Sequence, residues 1–356
     1  MLDRRALLAL PLAFPVLAAC ERFASAEPAA PPVRPLKSLI PFPVGVCAKN
    51  PQFDDPAWVE LALANFSQLT PEWEMKMEYI LAEGLGRFRF DGPDTIAAFA
   101  HEHGLRLHGH TLIWYAQGAE AFAGLDRAAF TSAFDRYIAT VAGRYRGQVV
   151  SWDVVNEPVT DEGSELRDCH WSRALGQEGY IVRAFQQARA ADPDAVLFLN
   201  EYNLENLPKK GATSLRLVEK LLALGTPIGG IGTQSHLDIE IPAGQITAFM
   251  RDAASLGLPI HVSELDASMY RDGGRRPDTR SRPERRAQQV ARVGELSEAF
   301  FALPEAQRYA FTTWGLRDTD SWLLRAEGKN LRDDSPVLLN AEGRANPAYG
   351  AVVRAV

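Results

Sequence analysis

The sequence has little cysteine: three residues among 356, at positions 20, 47 and 169. Cys20 belongs to an N-terminal segment of unusual composition, so Cys47 and Cys169 could form at most one disulfide in the rest of the chain. Because Cys47 lies in a predicted strand and Cys169 in a predicted polar loop, we expect both to be free thiols. Neither the cysteines nor the scattered histidines have the spacing of a metal site, and we predict no metal.

Basic charge is also scarce: 38 Lys and Arg residues against 45 Asp and Glu residues give a formal net charge of -7. Such a chain has no general attraction for nucleic acid, and we predict no nucleic-acid partner. The sequence contains neither a glycine-rich phosphate-binding loop nor a Gly-x-Ser-x-Gly motif, so neither a nucleotide site nor a serine nucleophile of these types is expected. A neutral substrate without a cofactor is the simplest expectation, and no oligomer is implied.

An apolar run from Ala6 to Ala19 follows Arg4 and Arg5. It contains two prolines and is shorter than the ~20 residues that a membrane-spanning helix needs. We therefore interpret residues 1–26 as an export signal. Residues 27–35, rich in Pro and Ala, are predicted to be a tether, and residues 36–356 a single folded domain.

The export signal has two candidate ends. Residues 17–20, Leu-Ala-Ala-Cys, resemble a bacterial lipoprotein cleavage box, which would leave a lipid anchor at Cys20. Residues 24–26, Ala-Ser-Ala, fit an ordinary signal-peptide site, which would leave a free protein. The sequence therefore predicts an exported protein that is periplasmic, lipid-anchored at the cell surface or secreted.

The rest of the chain alternates short apolar runs with segments of helical period, which is typical of an α/β protein. The predicted strands are Val44–Ala48, Phe66–Thr70, Arg106–Ile113, Val149–Asn156, Val196–Asn200, Gly230–His236, Ile260–Glu264 and Tyr309–Thr313. Helical patterns between them include Arg127–Tyr145, Tyr180–Ala191, Leu215–Leu224 and Glu284–Phe301. Eight such units in this length predict a closed (β/α)8 TIM barrel. A doubly wound open sheet is the alternative, but its glycine-rich first turn is absent.

Polar and aromatic residues gather at the carboxyl ends of seven predicted strands, where TIM barrels place their active sites. In strand order they are Glu72 and Lys76, His110 and Trp114, Asn156 and Glu157, Glu201 and Tyr202, Gln234 and His236, Glu264 and Asp266, and Trp314. Packing gives no reason for such residues to recur at one end of separate strands. A shared cleft explains them together.

Glu157 and Glu264 are the most informative of these residues, because each ends or directly follows a buried β-branched run. A carboxylate pair is what cleavage of a glycosidic bond requires, with one group as acid and the other as nucleophile or base. Neighbouring Trp, Asn, Gln and His side chains suit a sugar, because aromatic faces pack on its rings and amides bind its hydroxyls.

From about Leu36 to the C-terminus the chain resembles glycoside hydrolase family 10, the retaining endo-β-1,4-xylanases. The motifs are Thr70-Pro71-Glu72 with Met75-Lys76, Gly109 to Trp114, Trp152 to Pro158, Asn200 to Asn203, Gly232 to Leu237, Ser263 to Asp266, and Thr313-Trp314-Gly315 with Asp318 and Ser321-Trp322. The resemblance implies that residues 36–356 form a catalytic domain acting on xylan and xylo-oligosaccharides. An endo-β-1,4-glucanase or mixed-specificity enzyme, or a non-catalytic carbohydrate-binding lipoprotein, are the alternatives.

The resemblance also implies roles for the predicted residues. Glu157 is expected to be the acid/base and Glu264 the nucleophile. Four residues would support them catalytically: Asn156, His236, Asp266 and Gln234. Nine residues would bind substrate. Glu72, Lys76, His110, Trp114 and Gln117 would belong to the glycone subsites, with Trp73 at the second of them. Trp314 and Trp322 would wall the central cleft, and Tyr202 would lie on the leaving-group side.

Four positions depart from the family pattern. Trp73 stands where an Asn is usual, and Met77 stands where a Trp is usual, so the second glycone subsite is expected to differ. The indole of Trp73 would either stack on a sugar or narrow that subsite. Tyr115 replaces a common His, and Glu201 replaces an Asp.

Overall fold

The computed structural model describes residues 34–270, 278–324 and 334–356. The predicted export signal and residues 27–33 of the predicted tether lie outside these ranges. From Arg34 onward the described residues form one compact unit. None of their helices is long and apolar enough to cross a membrane.

Nine strands of the described chain form one parallel sheet that closes on itself. They are β1 Val44–Ala48, β2 Gln68–Pro71, β3 Arg106–Gly109, β4 Ile113–Trp114, β5 Val149–Asn156, β6 Val196–Glu201, β7 Gly230–Thr233, β8 Ile260–Leu265 and β9 Arg308–Thr313. The order is β3-β2-β1-β9-β8-β7-β6-β5-β4, and β3 also pairs with β5. Because β3 and β4 both lie beside β5, they share one barrel position. The predicted eight-stranded barrel is confirmed, and an open sheet is excluded.

The third predicted strand, Arg106–Ile113, is wrong as a continuous element. It divides into β3 and β4, because Leu112 N donates to the carbonyl of Asp153 at 3.0 Å and shifts the pairing with β5. At the end of β3 the backbone lies against an indole: a Cβ on Gly109 would be 2.1 Å from the Trp152 ring. Only glycine fits there.

Eleven α-helices of the described chain surround the strands. They are α1 Leu36–Leu39, α2 Pro56–Asn65, α3 Met77–Ile80, α4 Asp91–Glu102, α5 Arg127–Arg144, α6 His170–Leu175, α7 Gly179–Ala191, α8 Pro208–Ala223, α9 Gln245–Ala254, α10 Arg282–Phe301 and α11 Pro347–Arg354. Local sequence begins several of them: Asp55 accepts from the first-turn amides of α2, and Ser281 and Glu284 form a capping box on α10.

The barrel is buried on both faces, as parallel sheets are. All residues of β1, β2, β7 and β8 are buried. Most are apolar or small, and the larger polar ones, Gln68, His261 and Glu264, are buried with them. Cys47 in β1 and Cys169 before α6 are buried and free, as predicted. Parallel closure places the carboxyl ends of all the strands at one rim, where the candidate site lies.

Candidate active site

Glu157 directly follows β5 at this rim, and its side chain is 8% exposed. Its Oε1 accepts hydrogen bonds from Asn156 Nδ2 at 3.0 Å and from Gln234 Nε2 at 3.0 Å. Its Oε2 accepts from the indole nitrogen of Trp114 at 2.8 Å. Three donors thus fix the carboxyl group, and they bring together residues predicted separately from three strand ends.

The backbone of Glu157 adopts a left-handed conformation, with φ of 58°. Residues other than glycine rarely adopt this backbone conformation. It costs about 1–3 kcal/mol, which contacts with the surrounding structure must offset. The Glu157 amide donates to the carbonyl of Asn200 at 2.9 Å, and its carbonyl accepts from Arg167 Nε at 3.1 Å. Neighbouring elements therefore hold this turn. Sequence reasoning missed Arg167, which belongs to no strand-end motif.

Glu264 lies in β8, and the residue is 4% exposed. Its Oε1 accepts from Asn200 Nδ2 at 2.8 Å and lies 4.0 Å from His110 Nδ1, while Oε2 lies 3.6 Å from His236 Nε2. Burial raises the pKa of Glu264, but His110, His236 and Lys76 together outweigh burial and leave this pKa below its usual value. The carboxylate is therefore ionised near neutral pH, as a nucleophile must be.

His236 links Glu264 to a second buried carboxylate. Its Nδ1 lies 2.9 Å from Asp266 Oδ1, and Asp266 Oδ2 accepts from the indole nitrogen of Trp322 at 2.9 Å. Burial lowers the pKa of His236, but Asp266 and Glu264 more than reverse this effect and raise it to about 10. The structure thus brings His236, Glu264 and Asp266 together, with the His236 ring between two carboxylates.

We expect His236 to carry a proton on both ring nitrogens at pH 7.5. Its pKa is above the unfolded value of about 6.5, so its contribution to stability is complete below about pH 6.5 and is lost as pH rises through about 10. Nitrogen chemical shifts of labelled histidine would measure this. His170 is the internal control, because burial lowers its pKa to about 4 and leaves it neutral. A neutral His236 at pH 7.5 would contradict the assignment.

Three amides connect the two glutamates. Asn200 Nδ2 donates to Asn156 Oδ1 at 3.0 Å as well as to Glu264, and Gln234 Nε2 also contacts Asn156 Oδ1 at 3.2 Å. Asn200 in turn accepts from Ser263 Oγ at 2.7 Å. The network therefore runs from one carboxyl group to the other. No role is predicted for Asn200 from the sequence, although this residue begins one of the family motifs and lies at the end of a predicted strand.

His110 lies between Glu264 and another buried acid, Asp153. Its Nδ1 is 2.8 Å from Asp153 Oδ2, which also lies 3.0 Å from His108 Nε2. Burial raises the pKa of Asp153, but the two histidines together leave it well below its usual range. Within the described ranges His110, Asp153 and Glu264 alone have ligand atoms close enough to share a metal ion. Since Nδ1 of His110 contacts the Asp153 carboxylate directly, this geometry fits a hydrogen-bonded relay better than a metal site.

Lys76 and Trp114, both predicted for the glycone side, are in contact. Lys76 Nζ lies 5.0 Å from the centroid of the Trp114 ring, within cation–π range. The buried Trp171 donates from its indole nitrogen to the Trp114 carbonyl at 2.9 Å and so fixes the backbone beneath the ring. This pair also adjoins the active centre, because the Trp114 indole nitrogen donates to Glu157 Oε2 at 2.8 Å.

Glu72 and Gln117 have structural partners in addition to their predicted roles. Glu72 forms a 2.8 Å ion pair with Lys49, and Gln117, which is 4% exposed, accepts from the amide of Glu78 at 3.3 Å. Both contacts hold loops at the rim. Their part in substrate binding stays a prediction.

The tryptophans predicted for the cleft divide into two environments. Trp314 is 5% exposed and packs edge-on against His110 at 5.3 Å, while Trp73 and Trp322 are 40% and 42% exposed. Trp322 and His236 border a cleft of about 480 Å³. Other residues that line this cleft include Asn203, Asn206, Asp238 and Tyr270.

Tyr202, predicted for the leaving-group side, belongs to a charged cluster beside Glu157. Its hydroxyl contacts Asp161 and accepts from Arg167 at 2.8 Å. The Arg167 guanidinium also lies 4.0 Å from the ring centroid of Tyr115, the residue that replaces a common His. Burial, with the contact to Asp161, raises the pKa of Tyr202 far above its usual value, so the hydroxyl stays protonated.

The arrangement can perform acid and nucleophilic chemistry at one point. Glu264 is an ionised carboxylate stabilised by two histidines, and Glu157 is a second carboxyl group held by three donors. The Trp114 indole and the amides of Asn156, Asn200 and Gln234 surround them. Such a pair can protonate a leaving oxygen and attack the carbon to which it was bonded.

Comparison with known proteins yields one family. A family model described as Glycosyl hydrolase family 10 matches residues 37–355. The chain is 35% identical over 328 residues to endo-1,4-beta-xylanase A of Thermotoga maritima, an alignment that covers 88% of this chain but only 30% of that protein. It is 36% identical over 308 residues to an endo-1,4-beta-xylanase of Geobacillus stearothermophilus, covering 82% and 90%.

Comparison with solved structures also identifies a xylanase as a similar protein. The structure of a xylanase A mutant from P. fluorescens subsp. cellulosa, in complex with xylopentaose, matches this chain with a TM-score of 0.81 at 33% identity. The match covers 90% of this chain and 99% of that one.

Proposed function

The chain belongs to glycosyl hydrolase family 10, and on that premise we propose that it is a retaining endo-β-1,4-xylanase. It would hydrolyse internal β-1,4-xylosidic bonds of xylan and xylo-oligosaccharides by double displacement. The observation that carries the proposal is the buried pair Glu157 and Glu264, connected through Asn156, Asn200 and Gln234. Cleavage of a glycosidic bond needs such a pair, and the double displacement gives Glu264 the attack and Glu157 the proton transfer.

In the first step Glu264 would attack the anomeric carbon while Glu157 gives its proton to the departing sugar oxygen. The lowered pKa of Glu264 supports the nucleophile role, because an ionised carboxylate is required before substrate arrives. Glu157, having given up its proton in this step, then takes a proton from the water that attacks the glycosyl-enzyme. Water would hydrolyse the glycosyl-enzyme with net retention.

Substrate contacts would come from both sides of the pair. Asn156 would bind a hydroxyl of the sugar that becomes covalently attached; the proposal is supported by its contact with Glu157 and by its contact with Asn200, which also donates to Glu264. Lys76 and Trp114 would bind the glycone, and Trp322 would border the cleft next to His236. Xylan is the proposed polymer because the two relatives and the solved structure described above are named xylanases.

Turnover of xylan against carboxymethylcellulose tests the substrate. We expect reducing ends to appear at least about tenfold faster from xylan, a ratio equivalent to about 1.4 kcal/mol of transition-state preference. Equal rates would favour the mixed-specificity alternative. Binding of xylan without release of reducing ends would favour the non-catalytic lipoprotein.

Trp73 is expected to stack on a glycone sugar, because its indole is 40% exposed next to Glu72. Replacing Trp73 with Asn should lower kcat/KM for xylotetraose about fivefold, the equivalent of ~1 kcal/mol for an aromatic contact. An aryl xyloside, too short to reach the second glycone subsite, is the control substrate and should be hydrolysed at an unchanged rate. A rise for xylotetraose would show that Trp73 narrows the subsite, and no change would exclude both roles.

We also propose export, with lipidation at Cys20 as the favoured end of the signal. The proposal rests on the sequence of residues 1–26, since that segment lies outside the described structure. Substitution of Cys20 by Ser should move the protein from the membrane fraction to the soluble fraction in a Gram-negative host. A soluble wild-type protein that begins at Glu27 would show the ordinary cleavage site instead.

A further inference from the structure

The loop that follows Glu157 packs on the first turn of α8. Residues 158–167, here the acid/base loop, close on themselves through a bridge between Val159 and Leu166. At Gly163 the approach to the helix is so close that a Cβ would lie 2.5 Å from Lys210 Cα. Thr213 of α8 also donates to the Gly163 carbonyl at 2.8 Å. The position of the loop therefore depends on α8.

A fully buried ion pair lies beneath this loop. Lys210 Nζ is 2.8 Å from Glu201 Oε1, and both side chains are 0% exposed. Glu201 also accepts backbone hydrogen bonds, from Tyr202 to Oε1 at 2.9 Å and from Val159 to Oε2 at 3.0 Å. Val159 is two residues after Glu157, so one carboxylate joins α8 to the segment that carries the predicted acid/base.

Because this pair is buried, its two side chains can move apart only at a high energetic cost. A buried charged side chain that has no contact with water is stable only while its partner is present. Removing one member of the pair leaves the other as an unpaired charge in a medium of low dielectric, which is strongly destabilising. Burial, together with the nearby Glu157, raises the pKa of Glu201 to about 7 although Lys210 opposes the shift, and burial lowers the pKa of Lys210. Both groups therefore need each other to remain charged.

The surroundings of Lys210 extend the connection to the leaving-group side. Its Nζ lies 3.3 Å from the ring centroid of Tyr202, whose hydroxyl accepts from Arg167. Arg167 in turn donates to the carbonyl of Glu157. Two routes thus run from the buried pair to Glu157: one through the Val159 amide, and the other through Tyr202 and Arg167.

We propose that Glu201 and Lys210 are positioning residues for the acid/base: their buried ion pair holds the acid/base loop on α8 and keeps Glu157 in its left-handed conformation, aligned for proton transfer. This inference rests on the proposed role of Glu157. It assigns the pair no contact with substrate.

The leaving group distinguishes positioning from general stability. A misplaced acid slows only those substrates whose departing oxygen needs a proton. Lys210→Met should therefore lower kcat/KM for phenyl xylobioside and xylotetraose by about 10- to 100-fold, within the ~10²–10⁴-fold that general acid catalysis supplies. For 2,4-dinitrophenyl xylobioside, whose leaving group needs no proton, the loss should be less than about threefold. Loss of folded protein would slow all substrates equally.

Lys220→Met is the matched control. Lys220 lies on the same helix and forms a 2.5 Å ion pair with Glu178, but its side chain is 59% exposed. Exposed pairs contribute little, so this variant should keep wild-type rates on every substrate.

If Lys210→Met does not fold, the double variant Glu201→Gln/Lys210→Met replaces it. Its neutral Gln side chain can still accept a hydrogen bond from the Val159 amide. We therefore expect the double variant to fold and its kcat/KM for phenyl xylobioside to lie within about tenfold of the wild-type value. Equal losses on activated and unactivated substrates, in whichever variant folds, would overturn the proposal. A wild-type protein without activity on any xylobioside would instead contradict the proposed function.

Discussion

Substitution of Glu264 by Ala is expected to lower kcat on xylo-oligosaccharides by about 10⁴- to 10⁶-fold, the range seen when a covalent nucleophile is removed. The reason is geometric as well as chemical. His236, His110 and Asn200 converge on this carboxylate and would be left around an empty space. Steady-state release of reducing ends measures the loss.

Glu342→Ala provides the control, since Glu342 is exposed and pairs with the exposed Arg344 near the C-terminus. It should retain full activity. If Glu264→Ala kept more than about a hundredth of wild-type kcat, a nucleophile elsewhere would be required, because a misplaced positioning group costs only about 10²-fold.

Substitution of Glu157 by Ala is expected to have an effect that depends on the leaving group. On xylan, kcat/KM should fall about 10²- to 10⁴-fold, because the departing oxygen loses its proton donor. On 2,4-dinitrophenyl xylobioside the first step should persist, while hydrolysis of the glycosyl-enzyme slows for lack of a base. The measured course is then a burst of one equivalent of dinitrophenol followed by slow turnover.

Azide supplies the control for this variant. As an anionic nucleophile it needs no base, so it should accelerate the slow phase and yield a glycosyl azide. Equal losses on xylan and on the dinitrophenyl substrate, without a burst, would contradict the assignment of Glu157 as acid/base.

Much of the site could be predicted from the sequence because the signal is local. A carboxylate at the end of a buried strand, such as Glu264, is visible in a short segment. Barrel closure then brings it to the same rim as Glu157 without further assumptions. The eight-stranded barrel itself followed from the recurrence of apolar runs.

Other features depend on contacts between segments far apart in the chain. Asp153 reads as an interior strand residue, and only the fold shows it between His108 and His110. Lys210 reads as a surface lysine on a polar helix start, although it is fully buried against Glu201. Side-chain direction and tertiary packing decide these cases, and a single sequence contains neither.

The break between β3 and β4 also depends on contacts between segments far apart in the chain. The run Arg106–Ile113 has the composition of one strand, but the pairing of β5 with both halves shifts the register and leaves His110 outside a regular strand. Trp314, predicted as a cleft wall, is largely buried against His110, and its part in substrate binding stays a prediction.

Proton NMR of fresh products from xylotetraose tests the central claim most directly. A double displacement between Glu264 and Glu157 predicts that the β-anomer of the new reducing end appears first, followed by slow mutarotation to the α-anomer. Glu157→Ala and Glu264→Ala, run alongside, should give no comparable early signal. Initial release of the α-anomer by the wild-type protein would contradict the account.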